Sequence, residues 1–264
     1  MRIARSLAAA QTIPNGGDVE ANLEGHMQLI RAAAKERTRV LVFPELSLTG
    51  YELDLANDLA FSEGDPRLTP LIDLASSSNM TLIVGAPVRI DLRLYIGAFI
   101  IYSDRSVDLY TKQRLGAFPS EVNPSGIVPP PEATIFQPGQ RNPLVQFDGN
   151  TAAVAVCADI GRPGHAREAA DRGARSYLAS MFVIPADFEQ ETARLRDYAV
   201  KHSMAVVFAN FGGPTGGLPS AGNSAIMSEK GNVLVQLPTT GAGLAIAIQD
   251  ETGWRTKEIM IGRA

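Results

Sequence analysis

Residues 151–156, Thr-Ala-Ala-Val-Ala-Val, form an unbroken run of small, largely apolar side chains that stops at Cys157. The run shows no alternation of polar and apolar positions. It therefore reads as a strand covered on both faces, which belongs inside a layered α/β protein rather than on a half-solvated sheet. Cys157-Ala158-Asp159-Ile160-Gly161 follows it. A thiol at the end of such a strand has its back in the core and its sulfur toward a loop layer. Taken alone, the strand favours an inert core cysteine. Two other strand ends reverse that reading.

The pattern along the chain supports the layered architecture. A first strand over residues 3–11 leads through Pro14-Asn15-Gly16-Gly17 to a helix. There Val19, Leu23, Met27, Ile30 and Ala34 recur at helical spacing behind Asp18 as N-cap. Strands are predicted over 38–43, 81–88, 95–103 and 107–110, with a helix over 68–78 and a turn at Asp104-Arg105-Ser106. A Pro-rich loop covers 117–131. After the cysteine strand come a helix over 165–173, a strand over 176–181, a helix over 188–203 and a strand over 205–209. A Gly-rich loop at 212–222 then precedes strands near 224–227, 233–237 and 244–248. Strands alternate with helices early, and hairpin-like pairs appear in the middle and at the end, as expected for mixed sheets flanked by helices. No linker and no fixed-period repeat interrupts this order, so residues 1–264 are read as one domain.

Composition narrows the function. The formal net charge is −4 with no run of Lys or Arg, which argues against a nucleic-acid or anionic-membrane surface. No apolar stretch approaches the ~20 residues needed to span a bilayer. The first ten residues have two arginines and small side chains, but their apolar part is too short for a secretory signal, so they are read as the first strand. A single cysteine forms no internal disulfide, and a cytoplasmic location is the expectation. There is no Gly-x-Ser-x-Gly elbow and no Cys/His spacing for zinc, so neither a serine hydrolase nor a zinc site is expected. The 212–217 glycine cluster lacks a Gly-Lys-Ser/Thr ending, and Pro214 removes a backbone donor; it reads as a loop lining a pocket. Trp254 reads as packing.

Glu45 follows the apolar run Val40-Leu41-Val42-Phe43-Pro44. A carboxylate at the end of a buried strand is partly desolvated, which raises its pKa and suits it to act as a base near neutrality. The segment after it, Leu46-Ser47-Leu48-Thr49-Gly50-Tyr51, is too apolar for an ordinary surface loop. Lys112 ends another strand, after Val107-Asp108-Leu109-Tyr110-Thr111. Alone it reads as a solvated strand-end lysine. In a partly closed site its ammonium would stabilise an oxyanion and favour a neighbouring thiolate. A carboxylate base, a thiol, an ammonium and the Ala158 backbone N–H together make a nucleophilic set, with Glu in the place His holds in thiol proteases. Of three histidines, His26 and His202 fall inside predicted helices, and His165 is the alternative base.

The segments Phe43-Pro44-Glu45-Leu46-Ser47-Leu48-Thr49-Gly50-Tyr51, Tyr110-Thr111-Lys112 and Cys157-Ala158-Asp159 resemble, in order and separation, the three signature segments of the nitrilase, or carbon–nitrogen hydrolase, superfamily. The resemblance extends over nearly the whole chain, including Gly173-Ala174, Ala209-Asn210 and Gly222-Asn223-Ser224. It implies a four-layer α-β-β-α sandwich of two mixed β-sheets. It also implies Cys157 as nucleophile, Glu45 as general base and Lys112 with the Ala158 N–H as oxyanion holder. A second glutamate is implied after the lysine. Glu132, in Glu132-Ala133-Thr134-Ile135-Phe136-Gln137-Pro138-Gly139, fits the family pattern, and Glu121 is its rival. No metal or organic cofactor is implied. A homodimer or larger homo-oligomer paired through the helices near the cysteine is.

The sequence departs from the family at Ala158, where an aromatic is usual, and at Arg194-Leu195-Arg196-Asp197-Tyr198-Ala199, where the usual Glu and Asn are missing. The family's C-terminal extension is expected to be short here. The expected reaction is hydrolysis of a small amide or carbamoyl compound through a Cys thioester, in a small pocket lined by Tyr51, Phe118, Phe182 and Phe211. A nitrile substrate, acyl transfer to an amine and a non-catalytic small-molecule binder are the alternatives.

Overall fold

The computed structural model describes residues 5–123 and 125–262. Its strands are β1 (Arg5–Gln11), β2 (Val40–Val42), β3 (Thr81–Ile90), β4 (Arg93–Ile101), β5 (Val107–Thr111), β6 (Leu144–Phe147), β7 (Asn150–Val156), β8 (Ser176–Ser180), β9 (Ala205–Ala209), β10 (Ala225–Met227), β11 (Val233–Gln236), β12 (Ala242–Asp250) and β13 (Gly253–Ile261). The helices are α1 (Val19–Lys35), α2 (Ala56–Leu59), α3 (Thr69–Ser78), α4 (Pro163–Asp171) and α5 (Phe188–His202). One sheet has the order β13-β12-β1-β2-β3-β4-β5 and the other β11-β10-β9-β8-β7-β6. Both are mixed: β1-β2-β3 and β7-β8-β9 run parallel, and their flanks are antiparallel.

The four layers follow from what the central strands bury on each face. In β1, Leu7 and Ala9 face the other sheet while Ala8 and Ala10 face α1 and α3. In β7, Ala152, Val154 and Val156 join the middle core, and Ala153 and Ala155 meet the layer of α4 and α5. A strand apolar on both faces needs a partner layer on each, and the small alanines let the helices come close. The outer helices carry matching stripes: Leu23, Ile30 and Ala33 of α1 on one side, and Ala166, Ala169, Leu195 and Ala199 on the other. The chain is thus an α/β protein of the α-β-β-α sandwich type.

The carboxyl ends of the parallel strands meet across the middle layer. Val156 of β7, Ser180 of β8 and Ala209 of β9 end in register. Ser180 Oγ donates to the Phe43 carbonyl at 2.8 Å, and the Glu45 N–H donates to the Met181 carbonyl at 3.3 Å. In open α/β sheets this end is where ligands bind.

Several predicted elements shift. Residues 3 and 4 of the predicted first strand lie outside the described residues, as do residues 1–2, Pro124 in the Pro-rich loop and the chain's last two residues. Asp18 caps α1, its side chain accepting from the Ala21 N–H at 3.0 Å. Sequence reading gave no element for α2, β6 or β13. Strand β6 has four residues, and β13 is an edge strand whose centre, Arg255 to Glu258, is exposed. At four residues the alternation of β6 is too short to stand out, and β13 carries neither alternating nor continuous burial. Trp254 of β13 is partly buried against the middle core, with Arg5 over its ring at 5.2 Å. Among the described residues no helix is long and apolar enough to cross a membrane.

Candidate active site

Glu45 is held just past β2 by a tight turn. Pro44 precedes it, and Leu46 takes a left-handed backbone with φ of 52°. The Ser47 N–H bonds the Pro44 carbonyl at 3.2 Å and the Leu48 N–H bonds the Gly85 carbonyl at 3.0 Å. Gly85 has to be glycine for this turn to approach β3, since a Cβ there would lie 2.4 Å from the Leu46 nitrogen and 2.7 Å from the Pro44 carbonyl oxygen. Behind the turn, His26 stacks on Phe43 with ring centroids 4.1 Å apart, and its Nε2 bonds Ser47 Oγ at 2.9 Å. His26 is therefore committed to holding the turn.

Lys112 directly follows β5, and its side chain is fully buried. Its Nζ donates to Glu45 Oε1 at 2.6 Å and to Glu132 Oε1 at 2.7 Å. Glu132 Oε1 also accepts from the Tyr51 hydroxyl at 2.7 Å, and its Oε2 accepts from the Gly116 N–H at 2.7 Å. Glu121 sits instead on an exposed turn, Ser120–Val122. The strand end is clamped from behind, where the Gly139 N–H donates to the Lys112 carbonyl at 2.7 Å. A methyl at Gly139 would stand 2.2 Å from Thr111 Oγ1 and 2.8 Å from its carbonyl carbon. Gly139→Ala is accordingly expected to cost about 1–3 kcal/mol by overpacking. That lowers the melting temperature by roughly 3–10 °C. Thermal denaturation checks it, and kcat should fall as well because the lysine's strand end is displaced.

Cys157 begins a short 3-10 turn, Cys157–Gly161, straight off β7. Its φ is 43°, in the left-handed region that few side chains adopt. Asp159 holds this strained elbow. Its Oδ2 accepts from the Val156 N–H at 3.1 Å and the Tyr110 hydroxyl at 2.7 Å, and its Oδ1 from the Gln113 and Arg114 N–H groups at 3.0 and 2.8 Å. One carboxylate thus ties the cysteine turn to the segment that carries Lys112. The Cys157 thiol donates to the Phe182 carbonyl at 3.4 Å. His165 lies elsewhere, its Nε2 3.0 Å from the Tyr110 hydroxyl and its Nδ1 2.7 Å from the Tyr177 hydroxyl. Burial holds its pKa below the ordinary value.

The charges at the site are unequal by construction. Burial pushes the Glu45 carboxyl up, and although the Lys112 ammonium pulls it back, the pKa ends at about 7. Burial also pushes Glu132 up, but Lys112 and the Gly116 N–H outweigh it and hold Glu132 below the ordinary range. Lys112 is desolvated too, yet the two carboxylates hold its pKa well above the usual value. Burial, then the Glu45 charge, push the Cys157 thiol well up. The resting site is therefore a neutral thiol beside an ammonium, a fixed carboxylate and a carboxyl that titrates near neutrality. Glu45 Oε2 is buried with no full hydrogen bond, and the Cys157 thiol is among the groups acting on this carboxylate. That leaves one free oxygen to receive a proton. If Glu45 must be ionised to work, kcat/KM falls as pH drops through about 7, one decade per unit, and not through the ordinary glutamate value. A pH–rate profile measures this; a limb near 4.5 would assign the base elsewhere.

A cavity of about 420 Å³ opens onto the sulfur. Tyr51, Phe118, Glu132, Cys157, Ala158 and Phe182 line it, with Met181 and Val183. Glu45 and Lys112 lie buried behind this lining. Tyr51 presents its ring to the cavity, since its hydroxyl is used on Glu132. Phe211 does not line the cavity. It is buried behind Phe182, with ring centroids 5.7 Å apart, since it follows β9, the next strand of the same sheet, and Phe182 stands between it and the cavity. Sequence reading missed the charged side of the cavity: Arg114, and Asp187, Gln190, Glu191 and Arg194 at the start of α5. A helix face turned to a cavity has the same polar spacing as one turned to bulk water. Among the described residues no group of three His, Cys, Asp or Glu side chains is placed to hold a metal ion.

The model of the family described as "Carbon-nitrogen hydrolase" matches residues 6–256. The chain belongs to the carbon–nitrogen hydrolase family, and is an enzyme of that class. Among individual relatives, it is 26% identical over 218 residues to "Hydrolase in pqqF 5′region" of Pseudomonas protegens, covering 80% of this chain and 72% of that one. It is 26% identical to the glutamine-dependent NAD(+) synthetase of Thermotoga maritima over 85% of this chain but only 38% of the synthetase's length. Its fold is that of a nitrilase-superfamily amidase from Nesterenkonia sp. AN1: a cysteine-to-alanine mutant of that amidase superposes with TM-score 0.82 at 23% identity, over 95% of this chain and 92% of the other. Another mutant of the same amidase shows covalent addition of the acetamide moiety of fluoroacetamide at the active-site cysteine, with TM-score 0.79, 23% identity and coverage of 92% and 89%.

Proposed function

We propose that this enzyme is a thiol amidohydrolase that cleaves a small, non-peptide amide or carbamoyl compound through a thioester on Cys157. The observation that carries this reading is that Glu45, Lys112 and Glu132, from three distant segments, form one buried ion cluster beside the chain's single thiol. Ionised Glu45 takes the thiol proton as sulfur attacks the amide carbon, so thiolate need never accumulate. The oxygen gains negative charge in the tetrahedral intermediate. The Lys112 ammonium and the Ala158 N–H stabilise it, the latter because the first N–H groups of a helical turn have no intrahelical acceptor. Glu45 then returns the proton to the nitrogen as the C–N bond breaks and ammonia or an amine leaves. Water enters, Glu45 accepts its proton, and attack on the thioester breaks the C–S bond to release the acid and restore the thiol. Glu132, ionised and bonded to Lys112, Tyr51 and Gly116, fixes the ammonium in place.

A carboxamide is favoured over a nitrile because an amidase and glutamine-dependent synthetases are among the similar proteins. The test combines ammonia release across a panel of small amides, ureides and nitriles with acid quenching and mass spectrometry of the peptide that holds Cys157. An acyl mass on that peptide, together with ammonia from an amide, supports the reading. Turnover without any acyl adduct under single-turnover conditions would remove the thioester route.

A further inference from the structure

Behind the cysteine turn lies a row of polar side chains from three elements, none of which faces the cavity. Tyr110 of β5, His165 of α4 and Tyr177 of β8 are all buried, as is Asp159. The Tyr177 hydroxyl is 2.7 Å from His165 Nδ1, and His165 Nε2 is 3.0 Å from the Tyr110 hydroxyl. That hydroxyl donates to Asp159 Oδ2 at 2.7 Å. Proton counting gives the row a direction. The Asp159 carboxylate also accepts from the Val156, Gln113 and Arg114 N–H groups, so it is an acceptor at every contact. The hydroxyl of Tyr110 has one proton, which goes to Asp159, and its oxygen is left to accept from His165. His165 therefore carries a proton on Nε2. Burial, which holds its pKa below the ordinary value, keeps the ring neutral near pH 7, so Nδ1 accepts from Tyr177. In a buried row of this kind each bond polarises the next.

The row ends on the carboxylate that binds both the N–H before Cys157 and the two N–H groups after Lys112. The left-handed backbone at Cys157, with φ of 43°, persists only where its surroundings hold it. Resting on the amidohydrolase reading, we infer that His165 is a positioning residue. As the Nε2–H tautomer it braces the Tyr110–Asp159 clamp that sets the sulfur against the Lys112 segment, and it exchanges no proton with the substrate. The nucleophile is thus aimed from the outer helical layer.

The tautomer is measured on the wild-type protein in neutral buffer, from the imidazole nitrogen NMR shifts, assigned to His165 by their loss in His165→Gln. A proton on Nε2 and a bare Nδ1 are expected. The opposite tautomer overturns the inference, because the Tyr110 proton would then turn to His165 and leave Asp159 a donor short. Turnover is then measured on whichever amide of the panel the wild type cleaves best. Gln sets an amide N–H near the place of Nε2, Asn sets one near Nδ1, and neither takes up a proton at neutral pH. His165→Leu and His165→Asn should lose about tenfold to a hundredfold in kcat with KM little changed, the scale of a slightly misplaced reacting group. His165→Gln should keep kcat within about threefold of wild type, since the donor to Tyr110 remains. A merely structural role would lower the melting temperature of the variants and leave kcat per folded molecule alone, which overturns the inference while the amidohydrolase reading stands. Equal kcat losses in Gln and Leu also overturn it, and would make His165 a proton carrier. If the wild type cleaves no amide in the panel, the reading beneath falls and takes the role in turnover with it, whatever the tautomer.

Discussion

Cys157→Ala is expected to lose at least about 10³-fold in kcat/KM, the scale seen when an essential nucleophile is removed. The folded state should barely register the change. Cys157 is half-buried at the cavity, and its hydrogen bond to the Phe182 carbonyl is long at 3.4 Å. The elbow is held by Asp159 through four backbone and side-chain donors, none of which involves the sulfur. The melting temperature should therefore stay within a few degrees, as for a substitution costing under about 1 kcal/mol. Circular dichroism and single-turnover kinetics on one preparation read both effects. Activity within tenfold of wild type, in a variant shown by mass to be free of wild-type protein, would dismiss the sulfur from the reaction.

Lys112→Met should do the opposite and damage fold and chemistry together. The lysine is the counter-ion of two buried carboxylates, Glu45 and Glu132, at 2.6 and 2.7 Å. Removing one partner of a buried ion cluster costs about 3–5 kcal/mol, because the charges left behind are uncompensated. The melting temperature should fall by roughly 6–20 °C. Loss of an oxyanion donor should lower kcat by about 10²–10³ besides. The pH dependence identifies the cause. Without the ammonium, both carboxyls are raised in the folded state above their unfolded value, so the folded variant holds extra protons. Its deficit is then small near the unfolded glutamate pKa and grows as pH rises. Glu132, held low in the wild type, contributes stability that is present above the unfolded value and lost on acidification, which widens the gap in the same direction. Melting curves at pH 5 and pH 8 should differ from wild type far more at pH 8. An equal gap at both would mean that ordinary packing, not charge, is what the lysine supplies.

The reach of the sequence can be judged residue by residue. Glu45 and Cys157 drew notice because each follows a run of apolar residues at a strand end, where burial makes such groups chemically unusual; Lys112, after the mixed run 107–111, stood out only once the three segments were set together. The double-sided burial of β7 was legible from its unbroken apolar run, while that of β1 was not read, and the four layers came from the family resemblance. Edge strand β13 was not legible, since its exposed centre follows neither periodicity. The cavity wall on α5 was hidden by a different ambiguity: Asp187, Gln190 and Arg194 carry the polar spacing of any surface helix, and only the tertiary arrangement turns them inward. Phe211 was misplaced because sequence gives a residue's position along a strand but not its depth. The glycines at 85 and 139 looked like loop punctuation, and only coordinates show which neighbouring atoms each one admits.

The meeting of strand ends across the middle layer has a consequence for how such a protein can be divided. Glu45 and Lys112 hang from the seven-stranded half and Cys157 from the six-stranded half, and Glu132 lies on the stretch of chain that joins them. A cut between β5 and β6 leaves two fragments, each with a hydrophobic face and neither with the whole cluster. The proposed chemistry is a property of the seam, inherited jointly by both halves or by neither.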